Sequence, residues 1–106
     1  MESKIINLTY TQTKKLIDSN PNLKILDVRS SSEYRDGHIP GADNISYEDL
    51  EFDIEDFSSS KEEPILIYCR TGRRSHLAIE TLKELEYEKI YHIYEGLSDW
   101  PYKLHK

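Results

Sequence analysis

The sequence contains a single cysteine in 106 residues, so the chain cannot form an internal disulfide. No apolar run approaches the roughly 20 residues that a bilayer-spanning helix needs, which argues against a membrane-embedded protein. The first ten residues, MESKIINLTY, lack the basic segment, the apolar segment and the cleavage site of a secretion signal. These absences predict a cytoplasmic protein whose one thiol stays reduced.

Positive charge is also scarce, because the chain has 14 lysine and arginine residues but 20 acidic ones, which gives a formal net charge of -6. The acidic excess argues against non-specific binding to nucleic acid or to an anionic membrane surface. The stretch IYCRTGRRS, residues 67–75, is a local exception, since three arginines and a glycine follow the cysteine within five residues. This stretch is the first candidate for a functional site.

The length fits one domain with one hydrophobic core, covering residues 1–106. Short apolar runs predict strands over 4–8, 24–28, 44–45, 65–68 and 89–94. Helical patterns fall over 10–19, from 31 to just before Gly37, from 47 toward 57, over 75–86, and around Trp100. This alternation predicts an α/β fold, with a mostly parallel central sheet and helices on both of its faces.

Local polar signals mark where these helices begin. Thr9 and Ser30 each precede a Gln or Glu by three residues, which is the capping-box pattern. Ser46 and Ser98 are expected to cap the helix that starts at 47 and the short last helix. The four positions therefore predict where the chain enters four of its helices.

The strand predicted over 65–68 delivers Cys69 at its carboxyl end, which is where open parallel sheets bind ligands. Backbone N–H groups at the start of the next helix attract anions, and a turn at Gly72 would add more of them. Helix N-termini and arginines also stabilise cysteine thiolates. The pattern suits a nucleophilic thiolate that meets an anionic substrate. The competing interpretation is a buried structural cysteine beside solvated arginines.

Three segments carry distinctive patterns: LDVRSSSEYRDGHIPGADNI at 26–45, CRTGRRS at 69–75 and YEGLSDW at 94–100. The second resembles the Cys-x-x-Gly-x-Arg-Ser loop of single-domain rhodaneses, the thiosulfate sulfurtransferases. The first is similar to that family's N-terminal Asp-x-Arg and Gly-His-Ile signature. The third resembles its Gly-Gly-x-x-x-Trp segment, with Glu95 in place of the first glycine. Together the segments cover nearly the whole chain in the family's order.

The resemblance implies a rhodanese-like three-layer fold and a two-step sulfur transfer. Cys69 would be the catalytic nucleophile, which takes the outer sulfur of a donor such as thiosulfate as a persulfide and passes it to a thiol or to cyanide. The residues that follow would bind the substrate: Arg70, Thr71, Gly72, Arg73, Arg74 and Ser75. Arg74 matches the family's arginine and is expected to point inward, while Arg70 and Arg73 would serve recognition.

The resemblance also implies supporting residues and partners. Asp27 and Arg29, at the end of a predicted strand, are expected to form a buried ion pair that supports the site. The pair could organise the site directly, but the favoured interpretation is that it stabilises the fold. Neither a metal nor an organic cofactor is expected. The implied partners are a small anionic sulfur donor and an external thiol acceptor such as thioredoxin or glutathione, with a cysteine desulfurase as an alternative protein donor. No nucleic acid and no membrane is expected to bind.

Two other functions fit parts of the pattern. A phosphatase or arsenate reductase of similar fold needs an arginine six residues after its cysteine to grip an oxyanion, but Ser75 occupies that position and Arg74 comes one residue early. Tyr68 also stands where those phosphatases place a histidine. A persulfide carrier, loaded by a protein donor, needs the same Cys69 and the same loop. The sequence therefore leaves the carrier function open.

Overall fold

Strands and helices alternate along residues 2–106, the part of the chain that the computed structural model describes. In chain order the elements are β1 (Lys4–Leu8), α1 (Tyr10–Ser19), β2 (Lys24–Asp27), α2 (Ser31–Asp36), β3 (Ala42–Asn44), a 3₁₀ turn (Tyr47–Asp49), α3 (Leu50–Phe57), β4 (Ile65–Tyr68), α4 (Arg73–Glu84) and β5 (Lys89–Ile93). Parallel strands need such helical crossovers, because a tight turn cannot join them.

The five strands form one sheet in the order β1–β5–β4–β2–β3. Every neighbouring pair is parallel, so the sheet predicted as mostly parallel is parallel throughout these strands. β4 lies at the centre, between β5 and β2, and all four of its side chains are buried. The carboxyl end of β4 is therefore flanked by strand ends on both sides.

Two apolar layers cover the two faces of the sheet, and β4 contributes to both. Ile65 and Ile67 pack on one face, and Leu66 and Tyr68 pack on the other. The first layer includes residues of α3 and α4: Leu50, Ile54, Ala78, Ile79 and Leu82. The second layer includes residues of α1, α2 and the C-terminal segment: Leu16, Ile17, Tyr34, Trp100 and Leu104. The α/β three-layer fold is confirmed.

The observed starts of the helices agree with some of the predicted caps and differ from others. Thr9 and Ser30 both form complete capping boxes, and α1 and α2 have the predicted bounds. The cap predicted at Ser46 is wrong, since its side chain makes no capping hydrogen bond and the segment begins as a 3₁₀ turn. α4 begins at Arg73, two residues before the predicted start. Within residues 2–106, no helix combines the length and the apolar character needed to cross a bilayer.

The short helix predicted around Trp100 is also wrong, because the chain forms a turn there. The backbone N–H groups of Leu97 and Ser98 donate at 2.9 and 3.1 Å to carbonyl oxygens of residues 69–72, here called the cysteine loop. Pro101 also disfavours a helical conformation at the residue before it. Contacts with a segment distant in sequence thus replace the predicted local helix.

Candidate active site

Cys69 is the first residue after β4 and lies at the carboxyl edge of the sheet. The cysteine loop then leads through Gly72, which has a left-handed conformation (φ 93°), into the N-terminus of α4. Gly72 adopts that conformation without the strain that a side chain would cause. The sequence pattern predicted this placement at a strand end, which is the usual ligand position in parallel sheets.

The thiol of Cys69 is buried and surrounded by hydrogen-bond donors. Its Sγ atom accepts the backbone N–H of Gly72 at 3.0 Å and faces the Ser75 hydroxyl at 3.3 Å. Cys69 and Ser75 both have no exposed surface. Hydrogen bonds to the charged form of a group favour that form, so this arrangement suits a sulfur that carries negative charge.

The Ser75 hydroxyl also contacts His92, a residue of β5. Ser75 Oγ lies 2.6 Å from His92 Nε2 and 3.1 Å from the carbonyl oxygen of Gly72. Burial, together with a smaller effect of the neighbouring His76, lowers the pKa of His92 to about 4, so the imidazole is neutral near pH 7. His92 was not among the site residues predicted from the sequence. Its place in an alternating strand was the signal that it faces inward.

The segment of residues 94–98, here called the brace, holds the cysteine loop from outside. Besides the two backbone bonds already described, Ser98 Oγ donates to the carbonyl oxygen of Arg70 at 3.0 Å. A Cβ atom built on Gly96 would overlap that same peptide group, and one built on Gly72 would overlap the carbonyl of Tyr94. The loop and the brace therefore pack backbone against backbone, and this contact fixes the loop around the thiol.

Gly72→Ala is expected to reduce the reactivity of the Cys69 thiol at least tenfold, because the added Cβ forces the loop away from the brace. The variant also acquires a side chain at positive φ, which costs on the order of 1 kcal/mol. Gly41→Ala is the matched control, since Gly41 has a φ of 89° but its Cβ would approach only Ile25, at 4.0 Å. Thermal unfolding and thiol reactivity, measured on both variants, separate the two effects. Equal thiol reactivity in both variants would contradict the packing argument.

The Arg74 side chain, expected to point into the site, is held in an ion pair with Glu33. Its guanidinium donates to both carboxylate oxygens of Glu33 on α2, at 2.6 and 2.9 Å. Glu33 also accepts hydrogen bonds from the backbone N–H and the hydroxyl of Ser30, so the cap of α2 and the start of α4 are joined. The hydrogen bonds to Glu33 are the main cause that raises the pKa of Arg74, and the Cys69 sulfur acts in the same direction. The ion pair therefore fixes the position of this cation on α4.

This ion pair predicts a stability change at low pH. The hydrogen bonds from Arg74, opposed by partial burial and helped by Ser30, lower the pKa of Glu33 from 4.5 to about 2. As the pH falls from 4.5 toward 2, the unfolded state binds a proton that the folded state does not, so the free energy of unfolding decreases. Denaturant titrations should show a weaker pH dependence in this window for Glu33→Gln. Identical slopes for both proteins would contradict the assigned pairing.

Two cavities border the cysteine loop. One, of about 440 Å³, is lined by Arg29, Glu33, Asp36, Gly37, Arg70, Leu97, Ser98 and Leu104. The other, of about 580 Å³, is lined by Asn7, Thr71, Gly72, Arg73, His76, Leu77, His92 and Tyr94. Arg70 and Arg73 are exposed, one beside each cavity, so both offer a cation to an approaching anion. The buried thiol lines neither cavity.

Asp27 and Arg29 form a buried ion pair behind the first of these cavities. Arg29 Nη2 donates to Asp27 at 2.7 Å and to the carbonyl oxygen of Gly37 at 2.6 Å, and Arg29 Nε donates to both carboxylate oxygens at 3.0 Å. Asn44 Nδ2 donates to the backbone carbonyls of both residues at 3.0 Å. The pair ties the end of β2 to the turn after α2 and positions one wall of the cavity.

Known proteins with similar sequences are named for sulfur chemistry. Residues 9–102 match the family described as the rhodanese-like domain. The chain is 35% identical over 98 residues to a proposed sulfur carrier protein of Bacillus subtilis, YrkF, covering 92% of this chain and 52% of that protein. It is 32% identical over 96 residues to the thiosulfate sulfurtransferase GlpE of Pseudoalteromonas translucida, covering 89% of this chain and 87% of that protein.

The fold is also found among solved structures. A rhodanese-like domain protein from Staphylococcus aureus superimposes with a TM-score of 0.82 at 25% identity, covering 94% of this chain and 96% of that one. The chain thus spans nearly the full length of that protein and of GlpE, but about half the length of YrkF. The family match over residues 9–102 includes the cysteine loop.

Proposed function

This chain belongs to the rhodanese-like domain family, and from that premise we propose that it is a sulfurtransferase of the thiosulfate type with Cys69 as its nucleophile. The observation that carries the proposal is the buried Sγ of Cys69, which meets the Gly72 N–H at 3.0 Å and the Ser75 hydroxyl at 3.3 Å at the start of α4. Sulfur transfer alternates between a thiolate and a persulfide. Both carry negative charge that such hydrogen-bond donors stabilise.

In the first step the Cys69 thiolate attacks the outer sulfur of thiosulfate. A new S–S bond forms, the bond within thiosulfate breaks, and sulfite leaves with its electron pair. In the second step an acceptor thiolate attacks the outer sulfur of the Cys69 persulfide, and the Cys69 thiolate leaves. Cyanide as the acceptor yields thiocyanate in the same way. Two easier displacements replace one direct transfer between two anions.

The acceptor must come from outside the chain, because Cys69 is its only cysteine and an internal disulfide cannot release the sulfur. A small thiol such as glutathione, or a protein thiol such as thioredoxin, meets that need. The reaction also needs Cys69 in its reduced form, which fits a cytoplasmic location.

Access to the buried thiol sets a further requirement. Cys69 has no exposed surface, so a sulfur donor reaches it only when the cysteine loop moves or a neighbouring side chain turns away. The exposed Arg70 and Arg73 attract an anionic donor to the rim of the loop, and this attraction weakens as salt is added. Loading from thiosulfate should therefore slow with rising ionic strength.

A persulfide carrier loaded by a cysteine desulfurase is the second candidate. One observation favours it: the 35% identity to a protein named as a proposed sulfur carrier. Such a carrier uses the same thiol and the same loop. It differs in the sulfur donor, which is a protein persulfide instead of a small anion.

Steady-state release of thiocyanate from thiosulfate and cyanide tests the first function. Arg70→Gln should raise the KM for thiosulfate several-fold, and Arg35→Gln is the matched control because this exposed arginine of α2 lines neither cavity. A parallel assay supplies sulfur from a cysteine desulfurase. Turnover with thiosulfate supports the enzyme, whereas loading by the desulfurase alone supports the carrier. Failure of both assays would contradict sulfur transfer altogether.

A further inference from the structure

We propose that His92 is a positioning residue for Cys69 and acts through the Ser75 hydroxyl. In this arrangement His92 Nε2–H donates to Ser75 Oγ, and Ser75 in turn donates its one hydroxyl proton to the Cys69 sulfur. The inference rests on the proposed function, since it assigns the sulfur a negative charge during the reaction. It adds a residue of β5 to a site otherwise formed by β4, the cysteine loop and α4.

The three groups form a continuous chain in the interior of the protein. The distance from His92 Nε2 to Ser75 Oγ is 2.6 Å, and the distance from Ser75 Oγ to Cys69 Sγ is 3.3 Å. His92 is 4% exposed, and the other two residues have no exposed surface. These side chains are thus largely shielded from bulk water, and a hydrogen bond that is not made costs free energy at each position.

The direction of the two hydrogen bonds, from His92 to Ser75 and from Ser75 to Cys69, follows from counting protons. The Ser75 hydroxyl has one proton and three neighbours able to accept it: Cys69 Sγ, the Gly72 carbonyl oxygen and an unprotonated His92 Nε2. If Nε2 lacks its proton, it takes the Ser75 proton, and the sulfur keeps only the Gly72 N–H. If Nε2 carries its proton, the imidazole is a donor and the hydroxyl remains available to the sulfur. The second tautomer is the one that stabilises a thiolate.

The surroundings of His92 keep the imidazole neutral, so it directs a proton without adding charge. Its neighbours in the sheet are Asn7 on β1 and Ile67 on β4, and neither titrates. Arg73 and His76 of α4 line the same cavity as His92, and His76 contributes to the lowered pKa of His92. With a pKa lowered to about 4, mainly by burial, His92 is a poor proton acceptor for Cys69 near pH 7. Its role is therefore orientation instead of general base catalysis.

The pair of hydrogen bonds from His92 through Ser75 to Cys69, here called the relay, serves both displacement steps. It stabilises the Cys69 thiolate that attacks the sulfur donor, and it stabilises the same thiolate when it leaves in the second displacement. Once Sγ is bonded to the transferred sulfur, its charge is smaller, and the hydroxyl can turn toward the Gly72 carbonyl oxygen 3.1 Å away. The hydrogen bond is thus strongest when Sγ carries the charge: it raises the fraction of thiolate before the first displacement, and it stabilises the charge that develops on Sγ as the leaving group in the second.

A double-mutant cycle tests the relay. In His92→Asn the side chain is too short for its amide to reach Ser75. In His92→Gln the longer side chain brings an amide to the position of Nε2. We expect His92→Asn to lower the single-turnover rate of loading by thiosulfate about tenfold and to lower the thiolate ultraviolet absorbance at neutral pH. His92→Gln should recover most of both. In a Ser75→Ala background, His92→Asn should have no further effect.

The opposite results overturn the relay. His92 would act only in packing if the effects of His92→Asn and Ser75→Ala were additive. The same conclusion would follow if His92→Asn and His92→Gln lost equal amounts of loading rate and thiolate absorbance while their unfolding midpoints matched the parent's. If His92→Asn does not fold, His92→Leu takes its place in the same cycle. Thiolate absorbance does not depend on turnover, so it decides the relay even if thiosulfate fails as a substrate and the proposed function is wrong.

Discussion

Cys69→Ser should abolish sulfur transfer and leave the fold intact. A serine hydroxyl is not ionised near neutral pH and cannot hold a sulfane sulfur, so neither thiosulfate nor a desulfurase loads the variant. The new hydroxyl is nearly isosteric with the thiol and has the Gly72 N–H and Ser75 as hydrogen-bond partners at the same position. We therefore expect the free energy of unfolding to change by about 1 kcal/mol or less.

Thiocyanate release and chemical denaturation, run on the same preparation, check this result. Turnover at the parent rate would remove Cys69 from the mechanism and would favour the interpretation of Cys69 as a buried structural residue. Lost turnover accompanied by lost folding cooperativity would show that Cys69 is required for packing, and the chemical role would then lack support from this variant.

Asp27→Ala should cause the largest loss of stability. The substitution leaves the Arg29 guanidinium buried, 7% exposed, with only the Gly37 carbonyl as a strong partner. Removal of one member of a buried ion pair typically costs about 3–5 kcal/mol, because the remaining charge is neither solvated nor compensated. The wall of the cavity that Arg29 and Arg70 share should also loosen, so turnover should fall with stability.

Two comparisons isolate the cause of that loss. Asp27→Ala combined with Arg29→Met removes both charges and should be more stable than Asp27→Ala alone. Asp18→Ala breaks the exposed pair between Lys14 and Asp18, at 2.7 Å, and should cost less than about 1 kcal/mol. Urea denaturation measures all three variants. If Asp27→Ala cost no more than Asp18→Ala, the supporting role of the buried pair would be wrong.

Much of the fold follows from local sequence signals. The capping boxes at Thr9 and Ser30 set the starts of α1 and α2, because each needs contacts only three residues apart. The apolar run ILIY predicts β4 at the centre of the sheet, since buried parallel strands have no polar face. The position of Cys69 after this strand follows from the same argument. These features needed no knowledge of distant contacts.

Features that depend on distant contacts were missed. Arg74 was expected to point into the site, but its partner Glu33 lies 41 residues away and had been recognised only as part of a cap. Ser98 has the residue type of a helix cap, yet it hydrogen-bonds the cysteine loop, 28 residues earlier. His92 meets Ser75 only because β5 lies beside β4 and α4 follows β4. Composition and periodicity do not encode such pairings.

Sulfur transfer through Cys69 is tested most directly by the intact mass of the reduced protein before and after incubation with thiosulfate, and again after cyanide is added. We expect a gain of one sulfur atom that maps to Cys69 and is lost with release of thiocyanate. The gain should be absent from Cys69→Ser treated in parallel. A sulfur gain that persists in Cys69→Ser, or no gain from either thiosulfate or a cysteine desulfurase, would contradict sulfur transfer through Cys69.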